Sequence, residues 1–168
     1  SKSIRGTPDL GAGLLAVDLN TLSAGPDRPP RHSVHAAMAD VRAMQRIGHV
    51  LYMGADAAYD NLTARPPWLA IDMRDPARPV RLGHVDALSG VERLIDAGPG
   101  RALAITWNPA DQPKALLRSL DMSDPLRPRV LEQIALPDLW PYDAVREGDR
   151  LLIALRSPDS GNPVPAPG

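Results

Sequence analysis

The sequence predicts an all-β chain built from four-stranded antiparallel units of roughly fifty residues. Three observations lead there. A motif recurs at close to that spacing. The apolar residues fall into short runs bounded by turn residues. And 19 prolines among 168 residues disfavour long helices, because each removes a backbone donor and clashes with the preceding turn.

The motif is plainest in two places. Residues 68–82 read WLAIDMRDPARPVRL and residues 117–131 read LRSLDMSDPLRPRVL. Both contain Asp-Met-x-Asp-Pro-x-Arg-Pro, with Asp72 and Asp121 separated by 49 residues. A more divergent copy spans 14–34, where Asp18 precedes Asp72 by 54 residues and Asp27-Arg28-Pro29-Pro30 replaces the tight turn with a longer loop. A second element recurs out of phase with the first. Gly48-His49-Val50-Leu51-Tyr52-Met53 matches residues 100–105 and 148–153 at offsets of 52 and 48.

Taken in order, the chain opens after a segment 1–12 with strands expected at 13–18 and 31–35, a half unit within 13–38. A full unit at 39–87 follows, with strands expected at 41–47, 49–54, 68–73 and 80–86. The next unit, 88–136, repeats the plan at 91–97, 101–107, 116–121 and 129–135. A closing half unit, 137–156, supplies strands at 142–146 and 150–156. Gly48, the Gly98-Pro99-Gly100 run and Gly148 sit at the hairpins between first and second strands, where glycine takes up positive φ without steric cost. Asp75-Pro76 and Asp124-Pro125 mark the turns between third and fourth strands: proline presets φ and aspartate caps the turn with its side chain. Residues 41–47 and 90–97 also carry some helical spacing, but their place in the repeat argues for strands. The tail 157–168, SPDSGNPVPAPG, offers no packing face and reads as a linker or a disordered end.

Bulk properties narrow the function classes. The formal net charge is -1, and no basic tract stands out, which argues against a nucleic-acid partner. Cysteine is absent, so disulfides, thiolate metal sites and a cysteine nucleophile are excluded. No run of 18 apolar residues offers a membrane-spanning helix. The start at Ser1, with neither methionine nor an apolar leader, is expected to be a processed or trimmed terminus.

The unit Leu-x-x-x-Asp-Met-x-Asp-Pro-x-x-Pro-x-x-Leu resembles the LVIVD repeat, a β-propeller blade found in bacterial and archaeal surface or secreted proteins. Asp72, Asp75, Pro76 and Pro79 match its hallmark, as do Asp121, Asp124, Pro125 and Pro128. Residues 142–155 resemble that family's opening hairpin. The likeness covers about 13–156 and implies three propeller blades, an extracytoplasmic setting and no particular activity. Closed propellers usually have four to eight blades. The expectation is therefore that a second copy or another polypeptide completes the ring, or that the chain is a piece of a longer one.

In a propeller, ligands usually bind at the face formed by the loops that lead into the first strands. Those loops and strand starts hold the candidate ligand-binding residues His35, Asp40, Arg42, Asp86, Glu92, Arg93, Trp140, Tyr142 and Asp143. Aromatic residues beside charges suit a carbohydrate, peptide or protein partner. The competing reading packs Trp140 and Tyr142 between blades and leaves the charges solvated. His32-x-x-His35 is not expected to be a metal pair, because residues three apart on a strand point to opposite faces. His84 and Asp86 read as a surface pair, and Asp56, Asp60 and Asn61 lack calcium-loop spacing. Phosphate-loop, dinucleotide and nucleophile-elbow motifs are absent from the sequence. The sequence thus points to a binding or scaffold module without metal or cofactor. The alternative is part of a propeller enzyme, a hydrolase or a periplasmic oxidoreductase subunit, with its active site at the channel mouth and partly on other sequence.

Overall fold

A computed structural model of the chain describes residues 13–17, 32–36, 41–55, 67–107, 111, 114–137 and 139–156. Among these the architecture is all-β and antiparallel. A two-stranded sheet joins β1 (Gly13–Val17) to β2 (His32–Ala36). The first four-stranded sheet contains β3 (Val41–Ile47), β4 (Val50–Ala55), β5 (Trp68–Asp72) and β6 (Val80–Val85). The second contains β7 (Val91–Gly98), β8 (Arg101–Trp107), β9 (Ala115–Asp121) and β10 (Arg129–Ala135). A second two-stranded sheet pairs β11 (Trp140–Glu147) with β12 (Arg150–Arg156). Strands in each four-stranded sheet are neighbours in chain order, so each is a simple meander.

The strands form where expected, with small differences that have local causes. Segments 41–47 and 91–98 are strands, so the helical option is not taken up. β6 stops at Val85, one residue before the expected end, because Asp86–Leu88 form a 3₁₀ turn that drops Leu88 into the core. β5 ends at Asp72 rather than Met73, because the Asp72 carboxylate accepts the backbone N–H of Arg74 at 2.9 Å and turns the chain. β11 begins at Trp140, two residues before the expected start. Proline cannot donate to a ladder, and the register shift between Pro141 and Asp143 absorbs that loss. β4 begins at Val50, β9 at Ala115 and β2 at His32, each within a residue of expectation. Segment 1–12, most of the first motif copy and the tail 157–168 lie outside the described residues.

Matching turn chemistry recurs in the two four-stranded sheets. Asp72 Oδ1 accepts from Arg74 N, and Asp121 Oδ1 accepts from Ser123 N, both at 2.9 Å. Three residues on, Asp75 caps Ala77 N and Asp124 caps Leu126 N, both at 3.0 Å. The following methionine N–H closes back onto the first hairpin: Met73 N donates to His49 O at 2.7 Å, and Met122 N to Gly100 O at 2.8 Å. Asp-Met-x-Asp-Pro therefore encodes two successive side-chain caps and one backbone clasp. At the hairpins, Gly48 and Gly148 hold φ of 58° and 57°, and their carbonyls accept from Arg46 Nε and Arg146 Nε, both at 2.9 Å.

The main core lies between the two four-stranded sheets. Val50, Tyr52, Trp68, Ala70 and Val85 on one side meet Leu94, Ala102, Ala104, Leu120 and Met122 on the other. Two polar groups stitch this apolar contact. Tyr52 OH donates to Pro125 O at 3.2 Å, and Trp68 Nε1 donates to Val91 O at 3.3 Å. Burial and the nearby Asp124 carboxylate push the Tyr52 phenol up to about 12. Met53, Leu69 and Ile71 form a second cluster on the opposite face of the first sheet. The first strands of the successive sheets lie side by side: β3 contacts β7, and β7 contacts β11.

Candidate functional site

The side-by-side first strands build a concavity lined by two of the candidate residues, Arg93 and Asp143. It is an open cleft of about 480 Å³. Its walls come from 43–45 of β3, 93–96 of β7 and 143–146 of β11, with Trp68 beneath. These stretches are equivalent in the repeat: Ala43, Arg93 and Asp143 are spaced by fifty, as are Gln45, Ile95 and Val145. Two guanidinium groups span the seams between strands. Arg93 Nη2 donates to Tyr142 O, Nη1 donates to Glu92 O at 2.8 Å, and Nε lies 3.5 Å from Asp143 Oδ1. Arg146 Nη1 reaches Asp96 O at 3.5 Å. The Arg93–Asp143 pair is largely solvated, so its value is positional, on the order of 0–1 kcal/mol.

Both cleft carboxylates are already engaged. Asp96 Oδ1 accepts from Gly98 N at 2.9 Å, and Asp143 Oδ1 accepts from Ala144 N at 2.8 Å. The remaining lining offers an amide at Gln45, exposed thioether surface at Met44 and exposed aliphatic surface at Val145. The cleft can thus present donors, acceptors and apolar contact along one line. No cluster of three His, Asp or Glu that could hold a metal occurs among the described residues. No helix among them is long and apolar enough to cross a membrane.

Two carboxylates away from the cleft, Asp72 and Asp121, are held down by the turns they cap. Arg74 holds Asp72 below the usual carboxylate range, first through its guanidinium and then through its backbone N–H. Asp121 is held down to about 2, first by the backbone N–H of Ser123, then by the Ser123 side chain and Arg129. The two equivalent aspartates recruit arginines from different places in the sequence, positions 74 and 129.

Of the nine expected ligand residues, Arg93 and Asp143 line the cleft, and Tyr142 meets Arg93 through its carbonyl while its side chain stays exposed. Trp140 lies apart from the cleft lining. Its ring stacks on the buried Trp107, centroids 5.1 Å apart and planes 8° from parallel, which is the inter-sheet packing weighed against ligand contact. Asp86 is exposed in the 3₁₀ turn, and Glu92 is half-buried in β7. His35 belongs to β2 and Arg42 to β3, while Asp40 lies outside the described residues, as do Asp56, Asp60 and Asn61. His84 faces Arg81, their side chains 3.0 Å apart, rather than Asp86.

Sequence reasoning overlooked Met44, Gln45, Asp96, Val145 and Arg146. They sit in mid-strand, and attention to loops passes over them. The signal was the fifty-residue phase applied to the first strands themselves. No family model matches the chain, and no curated protein matches it.

Proposed function

We propose that the chain is a β-propeller module of LVIVD-type blades, three blades' worth of strands, that binds a protein or carbohydrate ligand without transforming it. The observation that carries this reading is the cleft. Equivalent positions of three successive first strands converge on one concave surface, as inner strands around a channel would. Its donors on Gln45, Arg93 and Arg146, its apolar patches at Met44 and Val145, and its open shape suit an extended polar ligand. Binding is favoured over catalysis because Asp96 and Asp143 both serve as backbone acceptors, and no histidine or hydroxyl side chain lines the cleft among the described residues. In keeping with the secreted proteins that carry such blades, the module is proposed to act outside the cytoplasm.

The test uses an array of neutral and acidic oligosaccharides together with a library of short extended peptides. A captured probe is then titrated against the wild type, Met44→Ala and Gln45→Ala. Both residues project from β3, so these changes should leave the melting temperature within a degree or two. The expected result is a roughly ten-fold loss of affinity in at least one variant, about 1.4 kcal/mol. Capture of no probe from either array, or a captured probe indifferent to both variants, overturns the reading.

A further inference from the structure

We propose that the cleft takes an extended peptide of mixed charge, with one acidic and one basic side chain flanked by apolar ones, and not a carbohydrate. The inference rests on the binding reading above and names the ligand class for the same site.

The charges that line the cleft cancel: Arg93 and Arg146 are matched by Asp96 and Asp143. Their order is reciprocal. Along β7 it is Arg93 then Asp96, and at the equivalent places on β11 it is Asp143 then Arg146. Arg93 therefore lies beside Asp143, with Nε 3.5 Å from Oδ1, and Arg146 lies beside Asp96, with Nη1 3.5 Å from its carbonyl. Such a surface presents no net field to a polyanion or a polycation. It presents both signs at short range to a ligand that carries both.

The Arg93–Asp143 pair is open to such a ligand. The Asp143 side chain is 72% exposed and that of Arg93 30%. An ion pair this solvated holds itself weakly, so a ligand's acid and base can join it as a four-charge cluster without first breaking a strong bond. Arg93 has five N–H donors, and among the described residues they serve two carbonyls and one carboxylate. Asp143 accepts from Ala144 N through Oδ1, and a carboxylate has lone pairs beyond that one bond.

Apolar surface flanks these charges, at the exposed Met44 on β3 and the exposed Val145 on β11. A thioether adapts to differently shaped apolar partners. From β3 through β7 to β11 the cleft thus runs thioether, cation, anion, aliphatic. Its complement runs apolar, acid, base, apolar. An extended chain sends alternate side chains to one side, so a complementary peptide reads Leu-Ser-Glu-Ser-Lys-Ser-Leu.

A sugar would find less to hold. Sugar rings rest their C–H faces on exposed aromatic rings. The aromatic ring among the described lining residues is that of Trp68, which is 2% exposed and forms a floor. Trp140 gives a face to Trp107 instead. The Gln45 amide, a natural partner for hydroxyl groups, already donates to Arg46 O.

Isothermal titration calorimetry with capped peptides tests the assignment. The probes are Leu-Ser-Glu-Ser-Lys-Ser-Leu, its forms with two Glu or two Lys, and its form with Ser in place of both Leu. The mixed-charge peptide with both leucines should bind roughly ten-fold tighter than each of the others. Asp143→Asn and Val145→Ser should each weaken it roughly ten-fold at unchanged melting temperature, since both side chains are exposed and Asn keeps an oxygen for Ala144 N. Glu132→Gln, exposed on β10, should leave it unchanged. Equal binding of all the peptides, binding indifferent to either cleft variant, or no binding of any peptide overturns the assignment. Capture of an oligosaccharide that Met44→Ala weakens also overturns it, yet leaves the binding reading standing. Silence from sugars and peptides alike removes both.

Discussion

Gly54→Ala adds one methyl group at the place where β4 and the Trp68 ring come closest. A Cβ built on Gly54 would sit 2.6 Å from Trp68 Cε2, 2.8 Å from Cζ2 and 3.0 Å from Cδ2. Ordinary contact begins near 3.4 Å, so the ring must retreat by nearly 1 Å. It has little room, being 2% exposed and tied by Nε1 to Val91 O of the neighbouring sheet. Overpacking of this kind costs about 1–3 kcal/mol, and weakening the Trp68 hydrogen bond adds about 1 kcal/mol. Against this, replacing glycine restricts the unfolded chain and returns about 0.4–1 kcal/mol. The steric side wins, with a net destabilisation of about 1–3 kcal/mol, or a melting drop of roughly 3–10 °C for a chain of this size. Urea and thermal melts followed by circular dichroism read the effect. The decisive control is the same change in a Trp68→Leu background, where the methyl finds space and should be neutral to mildly stabilising. A Gly54→Ala protein as stable as wild type would refute the reasoning, as would an equal cost in both backgrounds, since the penalty would then not come from the ring.

Three further outcomes are expected. Tyr52→Phe removes the hydroxyl that bridges the two large sheets and should cost about 1 kcal/mol; because the folded phenol titrates near 12 and the unfolded one near 10, its share of stability is whole below pH 10 and fades as pH rises toward 12, a decline that the variant should lack. For Asp121, held down to about 2 when folded against 3.8, the stabilisation is whole above pH 4 and is lost as pH falls toward 2; Asp121→Asn keeps an oxygen for the Ser123 N–H but loses the Arg129 ion pair, so its acid melting curve should be flatter than the wild type's. Trp140→Ala removes the stack on Trp107 and should cost about 1–2 kcal/mol, seen as faster amide exchange confined to β11 and β12 with probe binding to the cleft unchanged.

The parts of the fold that were legible are those whose chemistry is local. Asp75-Pro76 and Asp124-Pro125 announce a turn because the carboxylate and its target N–H lie two residues apart, and nothing distant is needed to place them. Gly48 and Gly148 announce hairpins for the same reason. The largest miss, at the start of β11, falls where a distant group offers a surface. Trp140 fell in the loop expected before the strand at 142–146. A residue before proline is nonetheless biased toward extended backbone, and the Trp107 ring 33 positions upstream offers it a surface. The cations that hold Asp72 and Asp121 could not be read from the repeat either, since matching carboxylates take arginines two and eight residues away.

The cleft was the least legible feature, and its invisibility follows from what a repeat selects. Positions that hold a sheet together must satisfy the same contacts in every unit, so they recur as Asp, Gly, Pro and apolar residues. Positions along the cleft carry less of that demand, and they diverge: Ala43, Arg93 and Asp143 share one place, and Gln45, the buried Ile95 and Val145 share another. Within an otherwise regular repeat, divergence at equivalent exposed positions therefore marks where a ligand could impose its own pattern. Of the equivalent Arg46, Asp96 and Arg146, the last two line the cleft. Arg46 and Arg146 each anchor a glycine carbonyl at the base of a hairpin, while Asp96 caps Gly98 and gives its carbonyl to Arg146. Asp96 and Arg146 thus serve the hairpins and line the cleft at once, so on the proposed reading ligand recognition falls to the neighbouring positions that the hairpins do not need.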